Sequence, residues 1–288
     1  MKKILVFMLI AVLGLTCVLT GCGPSNPFAE NLQIVEGVVF AEEAYGIAGR
    51  KEDKAFVSKI NEALIALVNT DYKTIAENYG LTDNLLVKEN TTNPLASATD
   101  GSWDAIVASG EIVIGYTVFA PIAFEKDGEL TGFDIDLAKK VVEYLNNTYS
   151  VSLTLKPQLI SWSAKETLLE NGSIDLIWNG MTITPEREEG MCISVPYLAN
   201  KQVAVIRKAD KDVYTSIETL KTAVIGAEGG SAGEEIAKGT LNEGAEYVMQ
   251  KSQLDALTQL NNGSIDVAII DSVMAGYYTS ANTEIETE

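Results

Sequence analysis

Two oppositely charged side chains stand at the ends of short motifs in distant parts of the chain. Arg187 closes residues 179–187 (NGMTITPER), and Asp271 closes residues 267–271 (VAIID). A guanidinium can hold a carboxylate through two parallel hydrogen bonds, and an aspartate can hold an ammonium group. Because an unpaired buried charge is costly, a cleft that contains both groups would suit a small zwitterion. The alternatives are that Arg187 pairs with neighbouring surface acids and that Asp271 only caps a turn.

Polar groups close to these residues in sequence could complete such a site. Gly180 offers a carbonyl and Thr182 a hydroxyl to an ammonium group. The turn at residues 229–232, which includes Ser231 and Ala232, precedes a predicted helix, so its amides could form an anion-binding nest. No lysine follows these glycines as a phosphate-binding loop requires, so nucleotide binding is not expected.

These candidates depend on alternating strands and helices for their positions. The predicted strands are 33–40, 45–48, 112–116, 153–156, 174–178, 202–207, 223–226 and 267–270. The predicted helices are 55–68, 71–79, 133–145, 165–170, 232–238 and 254–261. This alternation predicts an α/β fold with largely parallel sheets.

A five-residue repeat indicates that the fold has two lobes. Residues 171–175 (NGSID) recur as residues 262–266, each time after a predicted helix and before an apolar strand. The Asn-Gly pair ends a helix because both residues tolerate a positive φ. The alternative is a common helix–turn–strand boundary. Two lobes of one topology would place the carboxyl ends of their strands face to face across a cleft.

Charge and composition exclude several classes of function. The formal net charge is -19 and the chain contains no histidine. Such an acidic chain repels nucleic acid, so we expect no nucleic-acid partner. The lack of histidine excludes Ser-His-Asp and Cys-His catalysis and removes the commonest metal ligand. We therefore expect no metal site and no cofactor.

The N-terminus has the pattern of an export signal. Two lysines precede a short apolar run, and residues 19–22 (LTGC) resemble the lipobox of bacterial lipoproteins. Residues 1–21 are thus predicted to be a lipoprotein signal peptide and residues 22–30 a tether, with lipid on Cys22 holding the protein at the extracellular face of the membrane. The alternative is an ordinary signal peptide with an incidental cysteine. Cys192 is predicted to be a buried structural thiol.

Four motifs together resemble the extracellular solute-binding proteins of family 3, the polar amino-acid-binding lipoproteins of ABC importers. They are residues 112–137, 179–187, 225–233 and 268–271. The resemblance implies a two-lobed, hinge-connected, periplasmic-binding-protein-like fold of type II. It also implies that a monomer binds a free amino acid and delivers it to a permease, without catalysis.

The same resemblance implies roles for further residues. Tyr116, Phe119 and Trp162 lie where the family stacks aromatic rings on the ligand side chain, although each could belong to the core. Asn179 and Glu228 would face the side-chain end of the pocket. Glu228 is then a spare negative charge, which favours a basic or strongly polar ligand such as lysine, arginine, ornithine or glutamine. Family members that bind cationic ligands often have an acid at the position of Tyr116. The tyrosine in this sequence therefore argues against a cationic ligand.

The chain order departs from that of the family, whose C-terminal return to lobe 1 resembles residues 45–80 here. We therefore expect a circular permutation, with new termini in a loop of lobe 2 and hinge crossings near residues 200–203 and 43–45. The alternative is a gene fusion. Lobe 1 is then residues 45–200, comprising return segment 45–80, linker 81–102 and main segment 103–200, and lobe 2 is residues 201–288 plus 31–44.

Two other functions compete with transport. The fold is similar to that of some dehydratases acting on prephenate-like acids, in which Glu228 could serve as a general acid. A product assay on arogenate would distinguish this enzyme from a binding protein. A ligand-sensing lipoprotein is the second rival, although no spanning helix with a signalling module is visible in the sequence.

Overall fold

The computed structural model describes residues 26–280 except 242 and 243. The predicted signal peptide and Cys22 lie outside the described residues. The helices are α1 (Pro27–Asn31), α2 (Lys54–Ala66), α3 (Asp71–Asn78), α4 (Ser102–Ser109), α5 (Phe133–Tyr149), α6 (Lys165–Glu170), α7 (Pro185–Gly190), α8 (Ile217–Leu220), α9 (Ala232–Lys238), α10 (Gln253–Asn261) and α11 (Ser272–Thr279). Among the described residues, no helix is long and apolar enough to span a bilayer.

The strands form one large sheet and a small hairpin. They are β1 (Leu32–Arg50), β2 (Glu111–Tyr116), β3 (Phe124–Lys126), β4 (Glu129–Thr131), β5 (Thr154–Leu159), β6 (Leu176–Thr182), β7 (Met191–Ile193), β8 (Leu198–Arg207), β9 (Val224–Glu228), β10 (Glu246–Gln250) and β11 (Val267–Asp271). The order in the large sheet is β10-β9-β11-β8-β1-β6-β2-β5, with β7 also paired to β1, and β3 pairs with β4.

The large sheet consists of two halves with the same arrangement. In one half β5, β2 and β6 are parallel and β1 runs antiparallel to β6. In the other half β10, β9 and β11 are parallel and β8 runs antiparallel to β11. Each half therefore contains, in chain order, an antiparallel strand followed by three parallel strands.

Strand β1 passes through both halves. Its first residues pair with the end of β8, Glu43 lies opposite Asn200, and Tyr45 lies opposite Thr182 of β6. The sequence predicted two separate pieces here, at residues 33–40 and 45–48. They are continuous because β1 finds a strand partner in each half, which satisfies its backbone groups across the crossing.

The NGSID repeat has the same structure in both halves. Gly172 has a φ of +77° and Gly263 a φ of +84°, so each allows the chain to leave its helix in the left-handed region. The amide of Ser173 donates to the side chain of Asn171 at 2.9 Å. The equivalent bond from Ser264 to Asn262 is 3.0 Å.

An arginine at the end of each antiparallel strand holds this repeat. Arg50 donates to the carbonyl of Ile174 at 3.1 Å and forms an ion pair with Asp175. Arg207 makes the same contacts with the carbonyl of Ile265, at 2.6 Å, and with Asp266. Each arginine also pairs with the aspartate three residues later, at 2.8 Å and 2.7 Å respectively. The two halves thus share side-chain chemistry as well as strand order.

Residues 22–30 were expected to be an extended tether. From Asn26 onward the structure instead has a short helix, α1, that packs against the fold. Asn26 caps α1, and its amide nitrogen donates to the carbonyl of Tyr278 at 3.0 Å. The ring of Phe28 packs edge-on against Tyr278, with ring centroids 5.5 Å apart. Nothing in the local pattern indicated this packing, because a Pro- and Asn-rich stretch is equally typical of a tether.

Cys192 is buried and unpaired, as predicted. Burial raises the pKa of its thiol to about 11. A thiol with so high a pKa is protonated at neutral pH, which fits a structural role.

Candidate ligand-binding site

One cavity lies where the carboxyl ends of the parallel strands of the two halves meet. It is lined by Thr117, Phe119, Trp162, Asn179, Gly180, Thr182, Arg187, Glu228, Ser231, Ala232, Gln253 and Asp271. The lining contains every ligand-binding residue named from the sequence except Tyr116. It also contains two residues that were not named, Thr117 and Gln253. Residues more than 150 positions apart in the chain therefore surround one small space.

Tyr116 does not line this cavity, and its neighbour Thr117 does. Tyr116 ends β2 and packs, half-buried, against the apolar core. Thr117 is buried, and its hydroxyl lies 2.7 Å from the side-chain amide of Asn179. Successive side chains along an extended chain point to opposite faces, so a shift of one residue exchanges the ring for the hydroxyl.

The junction between β6 and α7 positions Arg187. Thr184 caps α7 with its hydroxyl, which accepts the Arg187 amide at 3.3 Å, and Pro185 starts the helix. The guanidinium is buried, and its Nη1 donates to the Thr182 carbonyl at 2.7 Å. Nη2 reaches the carbonyl of Gly230 in the other half, at 3.2 Å. Arg187 thus spans the boundary between the halves.

Gly180 must be a glycine for the cavity to keep its shape. Its φ is +60°, and a Cβ at this position would lie 2.7 Å from the Phe119 ring. A buried carboxylate fixes the backbone at this point, since Asp134 accepts the Gly180 amide at 2.7 Å and the hydroxyl of Tyr197 at 2.8 Å.

The glycine turn between β9 and α9 differs from the predicted anion-binding nest. The Gly229 amide donates to the carbonyl of Gln250, and the Gly230 amide donates to the carboxylate of Glu234. The Ser231 amide donates to the Glu228 carbonyl. These three amides are therefore already paired, and the turn presents the Gly230 carbonyl to the other half.

Lys165 is a second cation that reaches this carbonyl, and it was not predicted from the sequence. Its side chain is fully buried, and its Nζ donates to Gly230 at 3.1 Å and lies 4.8 Å from the centre of the Trp162 ring. Burial, followed by the nearby charge of Arg187, lowers the pKa of Lys165. A lysine at the start of a short polar helix usually faces solvent, so the sequence did not indicate that Lys165 would be buried next to the cavity.

Two buried carboxylates, Asp271 and Glu228, line the cavity from the other half. Asp271 ends β11 and accepts hydrogen bonds from Asn200, Gln253 and Gln202, the last at 2.9 Å. Burial, together with the charge of Glu43, raises the pKa of Asp271 to about 7. Burial, together with the charge of Asp271, raises the pKa of Glu228 to about 8. Both acids therefore lack a cation close enough to offset their desolvation.

The halves are closed over this cavity. Its volume is about 10 Å³, which is room for about one water molecule. The two bonds from Arg187 and Lys165 to the Gly230 carbonyl cross the boundary directly. A ligand with the size of an amino acid therefore requires the halves to separate before it can enter.

Two similar halves that close on an arginine and an aspartate define a two-lobed ligand-binding protein. Residues 112–266 match the family model of the bacterial extracellular solute-binding proteins, family 3, and the chain belongs to this family. This confirms the resemblance drawn from the four motifs. The arginine-binding extracellular protein ArtP of Bacillus subtilis is 25% identical over 205 residues, which cover 70% of this chain and 77% of ArtP.

Solved structures agree with the predicted type II fold. A substrate-binding protein of an ABC uptake transporter from Streptococcus pneumoniae, with bound histidine, is 34% identical with a TM-score of 0.54. That match covers 62% of this chain and 74% of the other. An ancestral amino-acid-binding protein that preceded cyclohexadienyl dehydratase is 31% identical with a TM-score of 0.54, covering 61% of this chain and 76% of the other.

The raised pKa values of Asp271 and Glu228 predict that the ligand-free protein loses stability as the pH rises. The folded state favours the protonated acids, so this stabilisation is complete below pH ~4 and is lost as the pH passes the folded values of about 7 and about 8. Thermal unfolding between about pH 5 and pH 9 should show a falling melting temperature. Glu228→Gln should flatten the upper part of this curve, and an unchanged slope would contradict the assignment.

Proposed function

We propose that this protein captures a free amino acid outside the cell and delivers it to an ABC importer. The observation that carries the proposal is that Arg187 and Asp271 reach one cavity from opposite halves. Arg187 would bind the α-carboxylate in place of its present carbonyl acceptors. Asp271 would bind the α-ammonium group, with the Gly180 carbonyl and the Thr182 hydroxyl beside it. An amino acid that touches both lobes stabilises the closed state.

The proposed ligand has a basic or strongly polar side chain. Once Arg187 and Asp271 hold the two backbone charges, Glu228 is left as a buried carboxylate in the lining. The charge of Lys165 lowers the pKa of Glu228, but by less than burial and the charge of Asp271 raise it. A ligand cation would pair with Glu228 directly, with Trp162 and Phe119 packing on the aliphatic part of its side chain. The arginine-binding and histidine-bound relatives are consistent with such a ligand.

We further propose that the protein acts at the outer face of the cell membrane as a monomer held by lipid on Cys22. The basis is the lipobox-like sequence at residues 19–22, together with membership of an extracellular family. A lipid anchor would keep the protein close to its permease, which raises their effective concentration.

Calorimetric titration with the twenty amino acids tests the proposed ligand class. We expect one or a few basic or polar amino acids to bind, with aliphatic ones at least about tenfold weaker, since a desolvated Glu228 would face an apolar group. Glu228→Gln should reduce the preference for a cationic ligand over glutamine. Tight binding restricted to leucine-like amino acids would contradict the proposal.

A dehydratase-like activity is the second candidate. The raised pKa of Glu228, about 8, would keep this acid protonated near neutral pH, as a general acid requires. The precursor of cyclohexadienyl dehydratase among the similar structures has the same fold. Binding remains the preferred proposal because the lining holds the arginine and aspartate that suit an intact amino acid. Formation of phenylalanine from arogenate by the purified protein would favour the enzyme instead.

We also propose that the chain is circularly permuted. In this account residues 45–200 form lobe 1, and residues 201–280 with 31–44 belong to lobe 2. Three observations support it: both halves begin with their antiparallel strand, Arg50 and Arg207 make equivalent contacts, and Asn26 bonds to Tyr278 at the far end of the described chain. In a permuted chain the segments around residues 26 and 278 would have been joined in the parent loop, so the account requires them to lie close together. The matches also leave about a quarter of each similar structure unaligned.

A chain with the family's order tests this permutation. Residues 97–280 followed by residues 26–96, with the bond between the exposed residues 96 and 97 left open, keep the buried part of the linker. This chain should fold and bind the same amino acid with an affinity within about threefold. The thermal unfolding curve and the calorimetric titration would be compared with those of the natural order. A reordered chain that stays unfolded, while the natural chain folds, would contradict the permutation.

A further inference from the structure

A third carboxylate, that of Glu43, lies behind the cavity at the crossing between the halves. Glu43 is on β1, directly opposite Asn200 of β8. Its Oε2 accepts the Thr182 hydroxyl at 3.0 Å, the Asn200 amide at 3.1 Å and the Gln202 amide at 3.0 Å. Glu43 does not line the cavity, but Thr182 does. The side chain therefore contacts the lining from behind.

Glu43 and Asp271 share the same two hydrogen-bond donors. The amide nitrogens of Asn200 and Gln202 each donate to Oε2 of Glu43 and also to Oδ1 of Asp271. Two carboxylate oxygens that each contact the same two nitrogens must lie close to each other. The amide donors are neutral, so they bridge the two acids without cancelling their charges.

The other groups around Asp271 offer no nearby cation among the described residues. Gln253 of α10 donates to its second oxygen, and the ring of Tyr45 on β1 lies close enough for the Asp271 charge to raise the pKa of Tyr45. Glu228 of β9 is a further acid, since the charge of Asp271 contributes to its raised pKa. Lys165 interacts with Glu228 and Arg187 rather than with Asp271.

We propose that Glu43 is a positioning residue that acts through Asp271, making it a strong but pH-dependent receptor for the ligand ammonium group. The inference rests on the proposed function. Repulsion between the two neighbouring acids favours a proton on Asp271 while the site holds no cation. An ammonium group beside Asp271 and the Thr182 hydroxyl replaces this proton and removes the repulsion, so binding at neutral pH releases protons.

The position of Glu43 also links the ammonium site to the crossing strands. Thr182 belongs to β6 in one half, whereas Asn200 and Gln202 belong to β8, which continues into the other half. One carboxylate oxygen therefore bonds to both sides of the crossing. The side chain that acts on Asp271 therefore lies at the crossing that joins the two halves.

The test compares Glu43→Gln with Glu42→Gln. The amide introduced by Glu43→Gln would keep an oxygen to accept these hydrogen bonds but remove the charge. Glu42 is the matched control because it is the next residue on β1, it carries the same charge, and its side chain is 80% exposed in a surface ion pair with Lys201. Affinity for L-arginine, or for whichever of the twenty amino acids binds most tightly, would be measured by calorimetry from about pH 5.5 to pH 8.5.

For the wild type we expect affinity to rise with pH around a midpoint near the pKa of Asp271, about 7, and to level off above pH ~8, where Asp271 is mostly ionised. Glu43→Gln should move the midpoint of this rise down by about half a pH unit or more, and should weaken binding on the plateau about fivefold. It should also release fewer protons on binding, as shown by titrations in two buffers of different ionisation enthalpy. A merely structural role would weaken binding equally at every pH.

Each outcome decides one claim. A Glu43→Gln profile identical in midpoint, plateau and proton release to that of Glu42→Gln overturns the role of Glu43 and leaves the proposed function intact. A wild-type protein that binds none of the twenty amino acids overturns the proposed function itself. If Glu43→Gln fails to fold, Glu43→Asp provides the readout: it keeps the charge, so the midpoint should stay within about 0.3 pH units of the wild-type value, and a larger shift contradicts the proposal.

Discussion

The burial of charge between the two halves is the constraint on which this structure depends. A guanidinium and an ammonium of one half meet carboxylates of the other around a space of about 10 Å³. Charges removed from water are tolerable only with partners. Here Arg187 has carbonyl acceptors, Lys165 has a carbonyl and the exposed Glu166, and Asp271 has amide donors. The pKa values of Asp271 and Glu228 are raised because burial is not offset by a nearby positive charge. A zwitterion supplies the complementary charge at both ends.

The elements of the fold serve to bring these groups together. Arg187 is fixed by the helix start at Thr184 and Pro185, and Asp271 by the end of a fully buried strand. The two long strands β1 and β8 pair with each other and connect the two halves. Glu43 and Asn200 lie there, opposite each other, next to the proposed ammonium site. The proposed ammonium site and the crossing between the halves therefore share residues.

The sequence predicted the α/β alternation, the two equivalent lobes and most of the lining, because motif and strand-end rules concern local pattern. It failed where position depends on tertiary contact. Glu42 and Glu43 are adjacent and chemically identical, yet one is exposed and the other bridges the hinge. Lys165 has the pattern of a surface lysine until its burial is seen. The resemblance indicates Tyr116, whereas the structure places Thr117 in the lining, because no local pattern fixes which face of the chain meets the cavity.

The most direct measurement is the affinity of purified Arg187→Met and Asp271→Asn variants for the amino acid that the wild-type protein binds. Each substitution keeps the approximate volume of the side chain and removes one charge from the lining. The account predicts that both variants fold and that each weakens binding at least about a hundredfold, the cost of leaving one end of the ligand unpaired. Wild-type affinity in both folded variants would contradict it.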